Sequence, residues 1–574
     1  MQYSANIKKP KRHFVPEEFV VTDWNGLEPF FQDLEQRPLP SRKDLEKWLE
    51  DMSELEAIVS EDACWRQIRM TCDTENKALE DAFTYYCMEI QPKIQPYADR
   101  LNHKLIDNPH TKDLDQKDFF SYLRSVKQRI ELFREENIPL QAELSVLAQQ
   151  YGVISGKMTV QVNGQEYTLQ QASKFLENQD RSIREEVFRS IQERRLLDKD
   201  ALNDLYSKLI SLRNQVALNA GFKNYRDFKF EELGRFDYTK EDCFHFHDAV
   251  KEYVLPLVGK INEAKRKKLG LDTLRPWDTE AEPAGTAPLR PFSATDELLT
   301  KTTACFDRLD PFFGDCLRTM KSMGRFDLES RKGKAPGGYN CPLAETGAPF
   351  IFMNAAGQMG DLTTMVHEGG HAIHSFLTHP LELNAFKDYP MEIAEVASMA
   401  MELFSMDHWD LFFENKNDLA RARAHQLERV ITIFPWIATI DKFQHWIYEN
   451  PGHSLSEREE KWMEILQYFS SSTIDWQGLE QYRPFGWQRQ LHLFEVPFYY
   501  IEYGIAQLGA IGLWKQYKEN KEKALSNYTH ALSLGGTRTL PELYDAAGLK
   551  FNFSKEHIKQ LMEFVSREVE NIYS

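Results

Sequence analysis

The sequence predicts a mainly α-helical protein with only small β elements, and three observations support this. Apolar residues recur at helical spacing through most of the chain. In a single stretch, apolar and polar residues alternate on both sides of a turn signal, which is typical of a β-hairpin. One short apolar run between glycine-rich segments is typical of a buried strand. The clearest helical run is Leu45, Trp48, Leu49, Met52, Leu55 and Ile58.

Length and charge limit the classes of function. The 574 residues are enough for about two to four domain-sized parts around a large core. The net charge of −18 argues against a nucleic-acid partner. The basic run at residues 8–12 is typical of a solvated tail. No apolar run reaches the ~18–20 residues of a membrane span, and residues 1–20 lack the apolar centre of a secretory signal. We therefore expect no membrane partner.

The cysteines indicate a reducing compartment. The chain has seven cysteines, an odd number, and none of them form a C-x-x-C pair. This argues against a disulfide framework or a cysteine zinc site. We expect reduced thiols and a cytoplasmic location.

The first part of the chain is predicted to be helical to about residue 150. The loop Pro38–Pro40 ends at Ser41, a residue type that caps helix N-termini. The hairpin follows, with strands at Met158–Val162 and Gln165–Leu169. Asn163-Gly164 between them is a strong signal for a two-residue turn. Helical spacing then resumes from Phe175.

The middle of the chain mixes loops with one helical stretch and one strand. Prolines in Arg275–Ser293 exclude a helix there, but its apolar side chains predict an ordered loop. Another helical stretch is predicted from about Asp296 to Met323. The glycine-rich loop Gly333–Asn340 lacks the phosphate-binding pattern, so a nucleotide site is disfavoured. The strand is predicted at Pro349–Asn354, either as an edge that pairs with an extended peptide or as a plain core strand.

The stretch at residues 361–379, DLTTMVHEGGHAIHSFLTH, carries the chemistry. We predict a helix capped by Asp361. His367 and His371 are one turn apart on it, so one tetrahedral Zn²⁺ can bind both imidazoles. Glu368 lies beside them and can take a proton from water at the metal. The alternative is that a short motif arose by chance and the histidines are structural.

A third protein ligand is needed to leave one position open for water. The helix predicted from Pro390 carries three candidates, Glu392, Glu395 and Glu402, and their spacing does not choose among them. Far downstream, Tyr499, Tyr500 and Tyr503 fall within little more than one helical turn. A phenol can donate to a developing oxyanion, but clustered aromatic residues are more often part of a core.

Together these motifs resemble a known family. HEGGHAIH at residue 367, IAEVASMAMELF at 393 and PFYYIEY at 497 are similar to the thimet oligopeptidase and oligoendopeptidase F family of zinc metallopeptidases, family M3. The likeness is greatest to the oligoendopeptidase F branch and runs from about residue 200 to 565. It implies a two-lobed helical zincin-type fold with a deep central channel, and cleavage of short, unstructured oligopeptides there.

The resemblance also implies residue roles. By position, His367, His371 and Glu395 are the zinc ligands and Glu368 is the general base. The substrate and oxyanion positions fall on Tyr500 and Tyr503, with His492 nearby. Supporting positions fall on His374 and Glu402, and a substrate-facing loop on residues 337–339. Two departures are Ala397, where proline is common, and Gly369, where the family has a larger apolar residue; Gly369 and Gly370 each weaken the helix by roughly 1 kcal/mol.

We predict an N-terminal helical region with the hairpin at residues 1–198 and a catalytic region at 199–574. The predicted function is a zinc endopeptidase for oligopeptides. The alternatives are a zinc carboxypeptidase of a related helical fold and a non-catalytic peptide-binding protein.

Overall fold

The computed structural model describes residues 3–573 and is built mainly from α-helices. The helices are α1 (Trp24–Gln36), α2 (Arg42–Cys72), α3 (Lys77–Tyr85), α4 (Gln91–Asp107), α5 (Gln116–Leu132), α6 (Asn137–Gly156), α7 (Leu169–Ser173), α8 (Arg181–Leu197), α9 (Lys199–Asn219), α10 (Tyr225–Glu232), α11 (Lys240–Ala249), α12 (Leu255–Lys268), α13 (Thr295–Leu309), α14 (Pro311–Ser322), α15 (Met359–Thr378), α16 (Met391–Ser405), α17 (Lys416–Glu449), α18 (Leu455–Tyr468), α19 (Leu491–Glu495), α20 (Tyr500–Glu519), α21 (Lys521–Ser533), α22 (Leu540–Ala546) and α23 (Lys555–Tyr573). The strands are β1 (Thr159–Val162), β2 (Gln165–Thr168), β3 (Phe326–Glu329), β4 (Tyr339–Cys341) and β5 (Phe350–Ala355).

The N-terminal helices form an apolar cluster of their own. Ser41 caps α2 as predicted, because its side chain accepts a hydrogen bond from the Asp44 amide. The apolar stripe of α2 is buried against α1, α4 and α5. Leu383 and Phe386, from the segment between α15 and α16, complete this cluster and so join it to the rest of the molecule. The predicted division at residue 198 stays a prediction.

The predicted hairpin is confirmed. β1 and β2 pair antiparallel, with Val162 opposite Gln165 across the turn. Asn163 and Gly164 have φ angles of 52° and 78°, the left-handed pair that a type I′ turn requires. The ordered loop is also confirmed, since Trp277 in the proline-rich segment is only 4% exposed. No helix within residues 3–573 has the length and apolar character to span a bilayer.

The helical stretch predicted from about residue 296 to 323 is confirmed, but it consists of two helices. The chain forms α13 and α14, which are separated at Asp310. Asp310 has an extended backbone, and its side chain caps α14 by accepting a hydrogen bond from the Phe312 amide. Pro311 cannot donate a backbone hydrogen bond, so it interrupts a helix but suits the first position of a new one.

The strand predicted at Pro349–Asn354 is confirmed as β5, but it is not an edge. The three-stranded sheet has the order β3-β5-β4, so β5 is paired on both sides. The edge-pairing alternative is therefore wrong for β5. The two edge strands are β3 and β4, and β4 overlaps the end of the segment that was predicted as a glycine-rich loop.

The helix with the two histidines begins earlier than predicted. It starts at Met359 with Gln358 as its N-cap, so the capping position predicted for Asp361 is wrong. Asp361 still supports this end, because its carboxylate accepts hydrogen bonds from the amides of Ala356, Gly357 and Gln358 at 2.7–2.8 Å. A carboxylate in the first turn also interacts favourably with the helix dipole.

The two glycines in α15 allow it to pack closely against its neighbours. A Cβ at Gly369 would lie 2.7 Å from the Phe306 ring of α13. A Cβ at Gly370 would lie 2.6 Å from the carbonyl oxygen of Ala397 and 2.6 Å from Cα of Ser398, both on the backbone of α16. The close contact between α15 and α16 thus depends on Gly370, and it offsets the low helix propensity of glycine.

We expect Gly370→Ala to lower the free energy of unfolding by about 2–3 kcal/mol, because the backbone of α16 must move to admit the methyl group. Chemical denaturation with a fluorescence readout measures the change. Gly360→Ala is the matched control, since no heavy atom lies within 4 Å of a Cβ on this other glycine of α15. That variant should be neutral or slightly stabilising. Equal stability of the two variants would contradict the proposed packing.

Candidate active site

Helices α15 and α16 bring three side chains together. The rings of His367 and His371 have centroids 4.9 Å apart and lie nearly perpendicular. Glu395 of α16 faces both rings. Its Oε2 is 3.3 Å from Nε2 of His367 and 3.6 Å from Nε2 of His371. One ligand atom from each of these three residues lies within 4.8 Å of the others.

These distances fit a tetrahedral metal ion. Ligands bound at about 2.0–2.1 Å to a tetrahedral zinc lie about 3.3–3.4 Å from each other. The two distances from Glu395 to the imidazoles are close to that value. Two imidazole nitrogens and one carboxylate oxygen are also a donor set that leaves one position for water or substrate.

A hydrogen-bond chain fixes the ring of His367. Its Nδ1 donates to Oε1 of Glu402 at 2.7 Å, which leaves Nε2 to face Glu395. Glu402 is held in turn by the side chain of Gln426 at 2.7 Å, and Gln426 accepts a hydrogen bond from Thr363. A carboxylate behind a histidine ligand orients the ring and raises its basicity.

Glu395 is ionised and held from two sides. The hydroxyl of Tyr499 donates to Oε1 at 2.5 Å, and the hydroxyl of Ser398 donates to Oε2 at 3.1 Å. Burial opposes ionisation, but the facing imidazoles of His371 and His367 and the Tyr499 hydroxyl lower the pKa of Glu395 to about 2. The site therefore presents a negative charge to a cation.

The two imidazoles differ in basicity. Burial disfavours the charged form of both rings and lowers the pKa of His371 to about 4. Burial is outweighed at His367, where hydrogen bonds that the ring donates to Glu395 and Glu402 raise its pKa well above the usual range. His367 is therefore protonated and faces the Glu395 carboxylate. The proton between the two groups must leave when a metal binds.

The geometry separates the three glutamates of α16. Glu395 faces the histidines and Glu402 supports His367 from behind. Glu392 instead accepts a hydrogen bond from the Tyr238 hydroxyl at 2.6 Å, away from the imidazoles. His374, one turn beyond His371, is fully buried and stacks on the Tyr389 ring with centroids 3.6 Å apart.

Glu368 lies beside this group with a free oxygen. Its Oε2 has no hydrogen-bond partner among residues 3–573. Burial raises its pKa to about 7, and the negative charges of Glu395 and Glu402 add to the effect. A carboxylate with that pKa can both accept and release a proton near neutral pH. Asn340 fixes the backbone here by donating to the Glu368 carbonyl at 3.3 Å.

A directional hydrogen-bond chain leads to Tyr503. The indole of Trp436 can only donate, and it donates to Oε1 of Gln490 at 2.9 Å. The amide nitrogen of Gln490 therefore faces Nδ1 of His492, at 2.7 Å. That leaves the His492 proton on Nε2, which donates to the Tyr503 hydroxyl oxygen at 3.1 Å. Burial lowers the pKa of His492 to about 4, so the ring is neutral.

This chain leaves the hydroxyl hydrogen of Tyr503 free to donate elsewhere. Burial raises the pKa of Tyr503 well above its usual range, so the phenol keeps its proton. Tyr503 and Tyr499 both line the cavity that contains the histidines. Tyr500 is only 8% exposed and packs against His492 with ring centroids 5.0 Å apart, behind that cavity wall.

The site opens into a cavity of about 940 Å³. Helices α2, α4 and α5 form one wall of the cavity, and α15, α16 and the start of α20 form the other. Gly338 and Asn340, at the free edge of β4, lie above Glu368. A Cβ at Gly338 would lie 3.5 Å from Oε1 of Glu368, so the loop passes directly over this carboxylate.

A second group of described residues can also hold a metal. Cys243, Asp441 and His445 place ligand atoms within 4.8 Å of one another. Their side chains are at most 2% exposed, and Asp441 already accepts a hydrogen bond from His247 at 2.8 Å. Since no substrate reaches this group, we interpret it as part of the core between α11 and α17.

Two family models match the chain. The model described as peptidase family M3 matches residues 174–563, and the model of the peptidase M3 N-terminal domain matches residues 14–133. The first match alone covers more than half of the chain and contains His367, Glu368, His371 and Glu395. The chain belongs to peptidase family M3.

Relatives along most of the M3 chain agree. An oligoendopeptidase F homolog from Borreliella burgdorferi is 22% identical over 87% of this chain and 85% of its own. The oligopeptidase PepF from Bacillus subtilis is 23% identical over 68% of this chain and 59% of its own. The solved structure of PZ peptidase A with an inhibitor has a TM-score of 0.92 at 25% identity, covering 97% of this chain and 99% of that one.

These findings confirm the predicted family, the mainly helical fold and the activity class, a metallo-endopeptidase. The structure adds residues of this M3 peptidase that the sequence did not single out. Tyr499 contacts Glu395, Gln490 orients His492, and Gln426 orients Glu402. Only Tyr499 carried a signal, as a member of the tyrosine cluster. Glutamines at these positions have no motif, because their role depends on the partner that the fold supplies.

Proposed function

We propose that this M3 peptidase is a zinc-dependent endopeptidase that hydrolyses short, unstructured oligopeptides in the cavity between its N-terminal helices and α15. The observation that carries the proposal is that Glu395 lies 3.3 and 3.6 Å from the two imidazoles, near a tetrahedral edge length, with Glu368 beside them holding a free oxygen. No other group of described residues combines a metal donor set with access from a cavity of this size.

His367, His371 and Glu395 would hold the zinc through two imidazole nitrogens and one carboxylate oxygen. When bound, zinc polarises the scissile carbonyl and makes water a stronger nucleophile. Tyr499 and Ser398 keep Glu395 in position through their hydrogen bonds. Glu402 holds a proton on Nδ1 of His367, so Nε2 is the nitrogen available to the metal.

Glu368 is the general base in this proposal. Its free Oε2 takes a proton from the water that attacks the carbonyl carbon and then delivers it to the leaving amine nitrogen. A pKa near 7 suits both transfers, since one group must first accept and then donate the same proton. Gly338 keeps the space beside the carboxylate free of a side chain, because a Cβ there would lie 3.5 Å from Oε1 of Glu368.

Tyr503 supplies a hydrogen bond to the oxygen of the tetrahedral intermediate. Because His492 donates to the phenol oxygen, the phenol hydrogen is directed away from His492 and towards the cavity. A neutral donor aimed at the position of developing charge stabilises the transition state more than the substrate. Tyr500 supports His492 from behind in this arrangement.

The substrate class follows from the shape of the site and from the names of the relatives. The histidines lie inside a cavity, so a folded protein cannot place a backbone segment beside them. An extended peptide can, and the unpaired edge of β4 offers backbone hydrogen bonds along its length. Oligopeptide cleavage is also what the names of the relatives indicate.

Digestion of a peptide library, analysed by mass spectrometry with and without a chelator, tests the proposal. We expect internal cuts in short peptides, loss of cleavage with the chelator, and recovery when zinc is added. A library that loses single C-terminal residues would favour the zinc carboxypeptidase. A zinc-loaded protein that binds peptides but never cleaves them would favour the peptide-binding protein.

We expect Tyr503→Phe to lower kcat about a hundredfold with little change in KM, because it removes a donor that acts mainly in the transition state. Steady-state kinetics on one fluorogenic peptide measures both constants. Tyr500→Phe is the control, since its hydroxyl does not line the cavity and should lower kcat far less. The opposite order of effects would assign the oxyanion donor to Tyr500.

A further inference from the structure

A second cavity, of about 290 Å³, lies next to the active-site cavity and is lined by two arginines. Arg195 comes from α8, and Arg489 comes just before α19. Among residues 3–573, neither guanidinium forms a hydrogen bond or an ion pair with a protein group. Most other arginines of the chain do; Arg194, the neighbour of Arg195, is paired with Asp198.

The two guanidiniums oppose each other electrostatically. Burial and, as the second cause, the positive charge of Arg195 together lower the pKa of Arg489 to about 10. Burial also lowers the pKa of Arg195. Glu495 lies near the arginines, since it raises the pKa of Tyr151 while both arginines lower it. It is not their counter-ion, because burial alone raises the pKa of Glu495 to about 8 and neither arginine lowers it. An anion placed between the arginines would relieve this repulsion.

Arg489 is held in a fixed orientation. Its guanidinium carbon lies 4.3 Å above the centroid of the Trp436 ring, so the planar group stacks on the indole and keeps its N–H edge free. That edge has the fork geometry that matches the two oxygens of a carboxylate. A stacked arginine without a partner is therefore prepared for an anionic ligand.

Two features link the second cavity to the catalytic residues, the indole of Trp436 and the glycine-rich loop. The indole of Trp436 is the same one that orients Gln490, and through it His492 and Tyr503. The glycine-rich loop borders both spaces, since Pro336 lines the second cavity and Gly338 lines the active-site cavity. A peptide that extends from Glu368 along this loop leads towards the two arginines.

We propose that Arg195 and Arg489 form a subsite that binds a carboxylate of the peptide substrate. This rests on the proposed function, because carboxylates are the anions that an unmodified peptide carries. The source is either the C-terminal carboxylate or the side chain of an aspartate or glutamate. The subsite would position a peptide by one anionic group and tighten its binding while the chemistry proceeds at Glu368.

Steady-state kinetics on three peptides of one sequence tests the subsite. The first peptide has a free C-terminus, the second is amidated, and the third is amidated with aspartate as its last residue. For the unaltered enzyme we expect KM of the first peptide to be about ten- to a hundredfold lower than KM of the second, the range for hydrogen bonds to a charged group. A third peptide that matches the first assigns the subsite to any carboxylate; one that matches the second assigns it to the C-terminus.

Arg489→Gln and Arg195→Gln should remove the difference between the first two peptides by raising KM of the first peptide to that of the second. Arg194→Gln is the matched control. It removes the same charge at the position next to Arg195, but Arg194 is already paired with Asp198. It should keep the full difference. If a glutamine variant does not fold, Arg489→Lys, which keeps the charge but not the fork, should show a reduced difference.

Equal KM values for all three peptides with the unaltered enzyme would overturn the subsite while leaving the endopeptidase intact. Preservation of the difference in both glutamine variants would also overturn it. Failure to cleave any peptide, with zinc bound, would instead overturn the proposed function.

Discussion

Replacing Glu368 with glutamine is expected to abolish hydrolysis while zinc stays bound. The three proposed ligands are unchanged in this variant, and the amide has the size of the carboxylate. An amide cannot accept a proton from water, so the transfer that the free Oε2 of Glu368 performs is lost. We expect kcat to fall by about a thousandfold or more, within the range attributed to a general base.

Peptide hydrolysis and zinc content must be measured on the same sample. The melting temperature serves as the control for folding, since Glu368 makes no side-chain hydrogen bond through Oε2 that the amide would break. Full activity with zinc bound would remove Glu368 from the role of base. Loss of zinc together with activity would place its carboxylate among the ligands instead.

Replacing Glu395 with glutamine should remove both the metal and the activity. Its carboxylate faces both imidazoles and carries the negative charge of the site. Glutamine keeps the shape but loses that charge, and a neutral amide oxygen is a poor zinc ligand. We expect zinc affinity to fall by more than a hundredfold, as measured by competition with a chelating dye, and activity to fall with it.

The same helix provides two graded comparisons for Glu395→Gln. Glu392→Gln should keep zinc affinity and activity, because Glu392 contacts Tyr238 and not the histidines. Glu402→Gln should lower zinc affinity about 10–100-fold, the usual effect of removing the partner of a histidine ligand. If Glu392→Gln lost zinc and Glu395→Gln kept it, the proposed ligand would be wrong.

Local signals in the sequence were sufficient for several elements. The hairpin at Asn163-Gly164 was predictable because only residues that tolerate left-handed backbone angles fit a type I′ turn. The start of α2 at Ser41 was predictable because the cap is a contact between a side chain and an amide three residues away. Interactions over so few residues need no knowledge of the fold.

Other local predictions were incomplete or wrong where a competing signal was stronger. The predicted helical stretch at 296–323 forms, but Asp310 and Pro311 together favour an end and a new start and so divide it into two helices. Aspartate is a common N-cap residue, but α15 begins two residues before Asp361. Asp361 therefore lies in the first turn of the helix and not at its cap. The strand β5 was located correctly, yet its two pairing partners come from distant segments that no local pattern indicates.

The sequence by itself determined the pair of imidazoles, because residues four apart on a helix share a face whatever surrounds them. It also determined the family, since the motifs match a known set. Only the tertiary structure decided which glutamate of α16 meets the histidines, which tyrosine has a free donor, and that Arg195 and Arg489 have no hydrogen-bond or ion-pair partner within residues 3–573. Those outcomes depend on how separate helices pack against each other, and packing brings together side chains whose spacing along the chain carries no information.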